Sequence, residues 1–166
     1  MAADVIIVMG SRSDLPALES SFKLLTDFGV SWAARVISAH RTPDVAADLA
    51  RNAEADGTKI IICAAGMAAH LAGVIAAYTT LPVIGIPMAA APFNGMDALL
   101  AMVQMPPGIP VATVTAGNAG GKNAALLAIS ILALQDSTLR EKLKAFRKAQ
   151  TEKVMADDAK LQAELS

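Results

Sequence analysis

The chain has 166 residues, 54% of them hydrophobic but only 4% aromatic, and its formal net charge is −1. That length closes one sizeable core, so residues 1–166 read as a single catalytic-size domain. With neither a basic patch nor an acidic tail, the charge pattern excludes nucleic acid or an anionic membrane as the main partner.

In chain order, DVIIVM (4–9) is a continuous apolar run of strand length, followed by GSRSD. PALESSFKLLTDFG (16–29) repeats its apolar residues at helical spacing and stops at Gly29. WAARVI (32–37) reads as a second strand. Thr42-Pro43-Asp44 then starts a helix with a capping hydroxyl, a proline in the first turn and an acid against the dipole. That helix is predicted to run to about Gly57. KIIICAA (59–65) is a third strand, MAAHLAGVIAAY (67–78) a small-residue helix and PVIGIPM (82–88) a fourth strand. GMDALLAMVQ (95–104) predicts a helix, IPVATVTA (109–116) a fifth strand and GKNAALLAISILALQ (121–135) a helix that is apolar nearly all round. A charged helix, about 137–165, closes the chain and is expected to pack outside or on a neighbouring subunit.

Continuous apolar strands alternating with helices indicate an α/β fold. The expectation is a three-layer, doubly wound parallel sheet of flavodoxin-like or Rossmann-like type with an added C-terminal helix. No Asp, Glu, Lys or Arg occurs between Lys59 and Asp97. Gly66, His70, Gly73, Pro82 and Pro87 cut that stretch into strand and helix lengths, so it reads as buried elements and not as a membrane span. Helices 67–78 and 121–135 lack a polar face, which predicts a homo-oligomer with helices at its contacts. The single Cys63 rules out an internal disulfide and fits a reducing cytoplasm. The start MAADVIIVMG lacks the basic region and length of a secretory signal.

In an open parallel sheet, ligands bind beyond the carboxyl ends of the strands. Three such ends carry chemistry, and all fall on one edge: GSRSD (10–14), SAHRTPD (38–44) and AGMAAH (65–70). Gly10 permits a tight turn, and Ser11 and Ser13 offer hydroxyls beside free amides, which suits an anion. Asp14 either accepts from a sugar hydroxyl or caps the helix. Arg41 can grip a phosphate with two hydrogen bonds. His40 is an imidazole, a group with an ordinary pKa of about 6.5 that passes protons both ways near neutrality. His70 sits in an apolar segment and reads either as a satisfied core residue or as part of the site. Cys63, inside an apolar strand, reads as structural. GNAGGKN (117–123) fails as a phosphate-binding P-loop, because Ala116 and Asn123 stand where Gly and Ser or Thr are needed. Two His and one distant Cys make no metal constellation.

MGSRSD (9–14), SAHRTP (38–43), AGMAAHLAG (65–73), QMPPGIPVAT (104–113) and NAALLA (123–128) together resemble the PurE family of purine biosynthesis. These are the enzymes that make 4-carboxy-5-aminoimidazole ribonucleotide. The Ala-Ala-His at 68–70 resembles the mutase branch (class I), which moves a carboxyl group within 5-(carboxyamino)imidazole ribonucleotide. The alternatives are the branch that carboxylates aminoimidazole ribonucleotide directly with carbon dioxide (class II) and a non-catalytic nucleotide-binding module. The resemblance implies that Ser11, Ser13, Asp14 and Arg41 hold the ribose phosphate end. It implies that Ser38, Ala39, Gly66, Ala69 and Leu71 line the base and carboxylate pocket. His40 would shuttle the proton and His70 would complete the carboxyl end. It further implies a cytoplasmic homo-octamer with no metal and no organic cofactor. Met67 and Ala72 depart from the family's usual AGGAAHLPG, which leaves the shape of that loop to the structure.

Overall fold

Runs of Ile, Val and Ala form the middle of the molecule because they are β-branched or small and can be buried on both faces. The computed structural model describes residues 3–165. Among these, β1 (Val5–Met9), β2 (Trp32–Val36), β3 (Ile60–Gly66), β4 (Val83–Met88) and β5 (Ala112–Thr113) pair in parallel. Their spatial order is β2-β1-β3-β4-β5, the flavodoxin-like order, with helices on both sides. The register sets Val5 beside both Trp32 and Ile60, and Met9 beside both Val36 and Ala64. The carboxyl ends of these three neighbours are therefore level with one another.

The helices are α1 (Leu15–Phe28), α2 (Pro43–Asn52), α3 (Leu71–Ala76), α4 (Met96–Val103), α5 (Gly117–Leu132) and α6 (Ser137–Leu165). Side chains alternate across the sheet, so Ile61 and Cys63 face one layer and Ile60 and Ile62 the other. On the first face, Val8, Ile61 and Cys63 join Ala46, Ala50, Leu71, Ile75 and Met102 in a buried cluster. On the second, α5 approaches α1 closely. A Cβ at Gly121 would stand 2.5 Å from the Ala17 carbonyl oxygen, and Ser21 Oγ donates to the Gly121 carbonyl at 2.7 Å. Gly29 ends α1 with φ 80°, its N–H returning to the carbonyls of Leu25 and Thr26.

By contacts the chain divides into two compact units, Met1–Ala128 and Ile129–Ser166. The first holds the sheet. The second holds the last turn of α5 and all of α6. There Asp136 Oδ1 accepts from the amides of Thr138 and Leu139, and the Arg140 guanidinium ties the carbonyls of Ala133 and Leu134. Nearly every side chain of α6 is exposed in the single chain; Leu139 is buried. Among the described residues no helix is long and apolar enough to cross a membrane.

Several elements differ from their predicted bounds. The helix expected over 67–78 is only α3, because Met67 and Ala69 take left-handed φ angles of 58° and 47° and hold the chain in a turn until Leu71. Four of its six residues already lie in this chain's own core, so this helix lends no weight to an oligomer. The strand expected over 109–116 pairs only at Ala112 and Thr113. Pro110 lacks the amide that a ladder extended to that end needs. The helix after Thr42 stops at Asn52 and gives way to a turn ending at Gly57, whose φ is 88°. The helix expected over 121–135 starts earlier, at Gly117, and ends at Leu132. The edge strand β2 is half exposed, with Val36 at 56%, and is not covered on both faces.

Candidate active site

The chain leaves β1 toward β2 on one side and later returns to β3 on the other. A crevice opens at the carboxyl ends where those directions diverge. Here it is a cleft of about 730 Å³. Every residue singled out from the sequence lines it: Ser11, Ser13 and Asp14 after β1, Ser38 to Arg41 after β2, and Gly66, Ala69, His70 and Leu71 after β3.

The first loop is a tight 3-10 turn, Arg12–Asp14. Gly10 donates to the Ala64 carbonyl at 3.0 Å, which anchors the loop to β3. Ser11 Oγ accepts from the Ser13 amide at 3.3 Å and the Ser13 hydroxyl at 2.8 Å. Asp14 Oδ2 accepts from the Ser11 amide at 3.2 Å. The cap is thus Ser11 with Asp14 answering it, and Asp14 makes no side-chain cap at α1. The amides expected to be free for an anion are taken up within the turn. What the loop shows to the cleft is hydroxyls and one half-buried carboxyl. Burial pushes the Asp14 pKa up, and the Ser11 amide pulls it part of the way back.

The second loop is organised by two hydroxyls. Ser38 Oγ accepts from the amides of His40 and Arg41, at 3.3 and 3.2 Å, and from Arg41 Nε at 3.4 Å. Thr42 Oγ1 accepts from the Ser38 amide at 2.9 Å and donates to the Ser38 carbonyl at 3.1 Å. Thr42 stands at the start of α2 but makes no side-chain cap there; its hydroxyl closes the loop behind it. Arg41 Nη2 donates to the Gly10 carbonyl at 3.0 Å, joining the second loop to the first. This fixes the guanidinium between the Gly10 carbonyl and Ser38 Oγ, with Nη1 having no partner among the described residues.

The third loop leaves β3 at Gly66 and turns through Met67 to His70, held by the Ala69 amide donating to the Gly66 carbonyl at 3.0 Å. His70 is exposed, so it is not a core histidine. Its Nδ1 lies 2.7 Å from His40 Nε2, with the rings 4.8 Å apart and nearly perpendicular. One nitrogen must carry the hydrogen and the other accept it, so the pair can hold one proton between the rings and pass it from one to the other. The sequence shows both histidines but not that they touch, since thirty positions separate them.

The cleft also has a fourth wall, Met88, Ala89 and Ala90, which sequence reasoning missed. The signal was there: these residues follow β4, and the rule that picked out the other loops applies to that strand end as well. Ala65, Met67 and Ala68 complete the lining. Cys63 lies beneath, fully buried, and burial pushes its thiol pKa up, so it takes no part as a nucleophile. Among the described residues no three His, Cys, Asp or Glu side chains are grouped to hold a metal ion.

The chain is similar to known proteins over most of its length. Residues 4–153 match the family described as AIR carboxylase. The N5-carboxyaminoimidazole ribonucleotide mutase of Brucella melitensis biotype 1 is 51% identical over 154 residues, 93% of this chain and 95% of that protein. The protein of the same name from Pyrococcus abyssi is 55% identical over 141 residues, 85% of this chain and 80% of that protein. Among solved structures, Treponema denticola PurE superposes with a TM-score of 0.85 at 34% identity, covering 95% of this chain and 97% of its own.

Proposed function

Because this chain belongs to the AIR carboxylase family, we propose that it is a mutase of purine biosynthesis. It moves the carboxyl group of 5-(carboxyamino)imidazole ribonucleotide from the exocyclic amine to ring carbon 4, giving 4-carboxy-5-aminoimidazole ribonucleotide. The names of the relatives support the reaction. The observation that carries the chemistry is the contact of His40 Nε2 with His70 Nδ1, 2.7 Å apart in a cleft lined largely by Gly, Ala and Ser.

The reaction needs one proton moved twice. The carbamate N–C bond breaks, its electron pair stays on nitrogen and nitrogen takes a proton; carbon dioxide and the free amine result. Carbon 4 then attacks the trapped carbon dioxide, a C–C bond forms, and the proton on carbon 4 leaves to restore aromaticity. An imidazole can donate in the first step and accept in the second. We assign this to His40, with His70 at the carboxyl end as its hydrogen-bond partner. Arg41 takes the ribose phosphate with Ser11 and Ser13, and Asp14 takes a sugar hydroxyl. Ser38 steadies the loop, while Ala39, Gly66, Ala69 and Leu71 bound a pocket for the base and carboxylate that is small enough to keep water out.

The enzyme works in the cytoplasm as a homo-oligomer, which the resemblance makes an octamer. Phe93 just before α4 and Met96, Leu100 and Val103 along it lie exposed, as do Val154, Met155, Leu161 and Leu165 along α6. Copies of the same chain covering these faces account for so much exposed apolar surface.

The test is direct. The purified protein is given the carbamate substrate without bicarbonate, and formation of the carbon-4 acid is followed. We expect conversion. Activity confined to aminoimidazole ribonucleotide plus carbon dioxide would make it a direct carboxylase instead.

A further inference from the structure

The cleft is bordered by three large apolar side chains of very different standing. Leu71 and Met88 are 2% and 8% exposed and belong to the walls, whereas Met67 is 66% exposed. Met67 also sits at φ 58°, a left-handed backbone that disfavours any residue with a Cβ. A strained, solvent-facing methionine gains nothing for the fold where it stands. Its neighbours Gly66 and Ala68 are the small residues that such a turn ordinarily carries. Left-handed strain of this kind gathers at functional sites. Methionine is also unbranched and adaptable, able to lie across an opening and conform to what is beneath it.

We propose that Met67 is a flexible apolar cap over the reacting end of the bound substrate, and that it keeps the released carbon dioxide inside the cleft. This rests on the mutase reading above, in which the carbamate N–C bond breaks before the C–C bond forms. Between those events the gas either meets carbon 4 or escapes, leaving aminoimidazole ribonucleotide behind. Met67 both lines the cleft and is largely exposed, which places it at the rim. His40 and His70 handle the proton, Arg41 the phosphate and Ala39, Ala69 and Leu71 the pocket wall, which leaves the outer side of the reacting end to be covered.

The experiment uses the full-length protein with the carbamate substrate in heavy-carbon bicarbonate plus carbonic anhydrase, which keeps dissolved carbon dioxide labelled. Two ratios are read: labelled to unlabelled carbon-4 acid, and aminoimidazole ribonucleotide to carbon-4 acid. Wild type is expected to convert with little label. In Met67→Gly both ratios should rise on the order of tenfold, the effect of removing one apolar chain from the barrier to escape. Met67→Leu should restore most of the retention. Glycine relaxes the left-handed backbone, so thermal stability should hold or rise; should Met67→Gly nonetheless unfold, Met67→Ala is read in the same way. Unchanged ratios in the glycine or alanine variant, with wild-type conversion intact, overturn the cap and leave the mutase reading standing. A smaller assembly in Met67→Gly than in wild type also overturns it, because the side chain would then be an intersubunit contact. Absence of wild-type conversion overturns the underlying reading instead.

Discussion

The loop after β2 and the loop after β3 meet at the same cleft but are built differently. Ser38–Thr42 is polar and tied together, its backbone clipped by the Thr42 hydroxyl and its amides gathered on Ser38 Oγ. Gly66–His70 is apolar, closed by the one bond from the Ala69 amide to the Gly66 carbonyl, and passes through left-handed angles at Met67 and Ala69. The first loop is preorganised, so it suits the placing of a fixed phosphate and a proton carrier. The second is strained and uncommitted, which suits a surface that must reshape around a reacting carboxyl. Among the described residues, the hydrogen bond between the two loops is the one where the histidines touch.

Breaking that link should have the largest effect. His40→Asn is expected to lower kcat by about a hundredfold to ten-thousandfold, the ordinary range for a lost proton carrier, with substrate binding retained. Steady-state kinetics alongside equilibrium binding checks this; loss of binding in step with turnover would make His40 a binding group only. Arg41→Lys tests the grip of the polar loop. Lysine cannot span Gly10 O, Ser38 Oγ and a phosphate as a planar fork does, so KM should rise about tenfold or more with a smaller change in kcat. A variant with wild-type KM would place the phosphate elsewhere.

Thr42→Val sharpens the contrast without touching the cleft lining. It removes both side-chain hydrogen bonds that clip Ser38 and leaves the backbone bond from the Thr42 amide to the Ser38 carbonyl, a stability loss of about 1 kcal/mol. It should also lower kcat several-fold, because His40 and Arg41 are carried by Ser38. Thr42→Ser, which keeps the hydroxyl, should restore the rate; a wild-type rate in Thr42→Val with a loss in Thr42→Ser would show that packing of the methyl group is what counts.

The smallest effect concerns the loop after β1. The folded pKa of Asp14 is raised above 3.8, mainly by burial, so ionising it costs more in the folded chain than in the unfolded one. Stability should therefore fall slightly as pH rises from 3.8 through the raised value, and stay lower above it. Asp14→Asn removes that fall. Thermal melts should show the variant within about 2 °C above wild type at neutral pH and equal to it in acid. A lower Tm at neutral pH would mean that the carboxylate, and not the neutral group, is the form that stabilises the turn.

The amino-acid sequence by itself determined the kind and order of the elements, because periodicity of burial is written into residue types. DVIIVM and KIIICAA, short and apolar throughout, read as interior strands of a covered sheet, and are. It also determined that Ser11, Ser13, Asp14, Ser38, His40, Arg41 and His70 share one edge, since parallel strands all finish on the same side. What it left open was contact between residues far apart in the chain. The order β2-β1-β3-β4-β5 places Arg41 on the Gly10 carbonyl and His40 on His70. Thr42 reads as a helix cap from its position and becomes a loop clip only once Ser38 is folded against it. Met67 and Ala69 read as helix because their types allow it, yet the turn that brings His70 to His40 forces both into the left-handed region. Local preferences of about a kilocalorie choose the elements, but they yield where closing the sheet edge around a cleft demands another conformation.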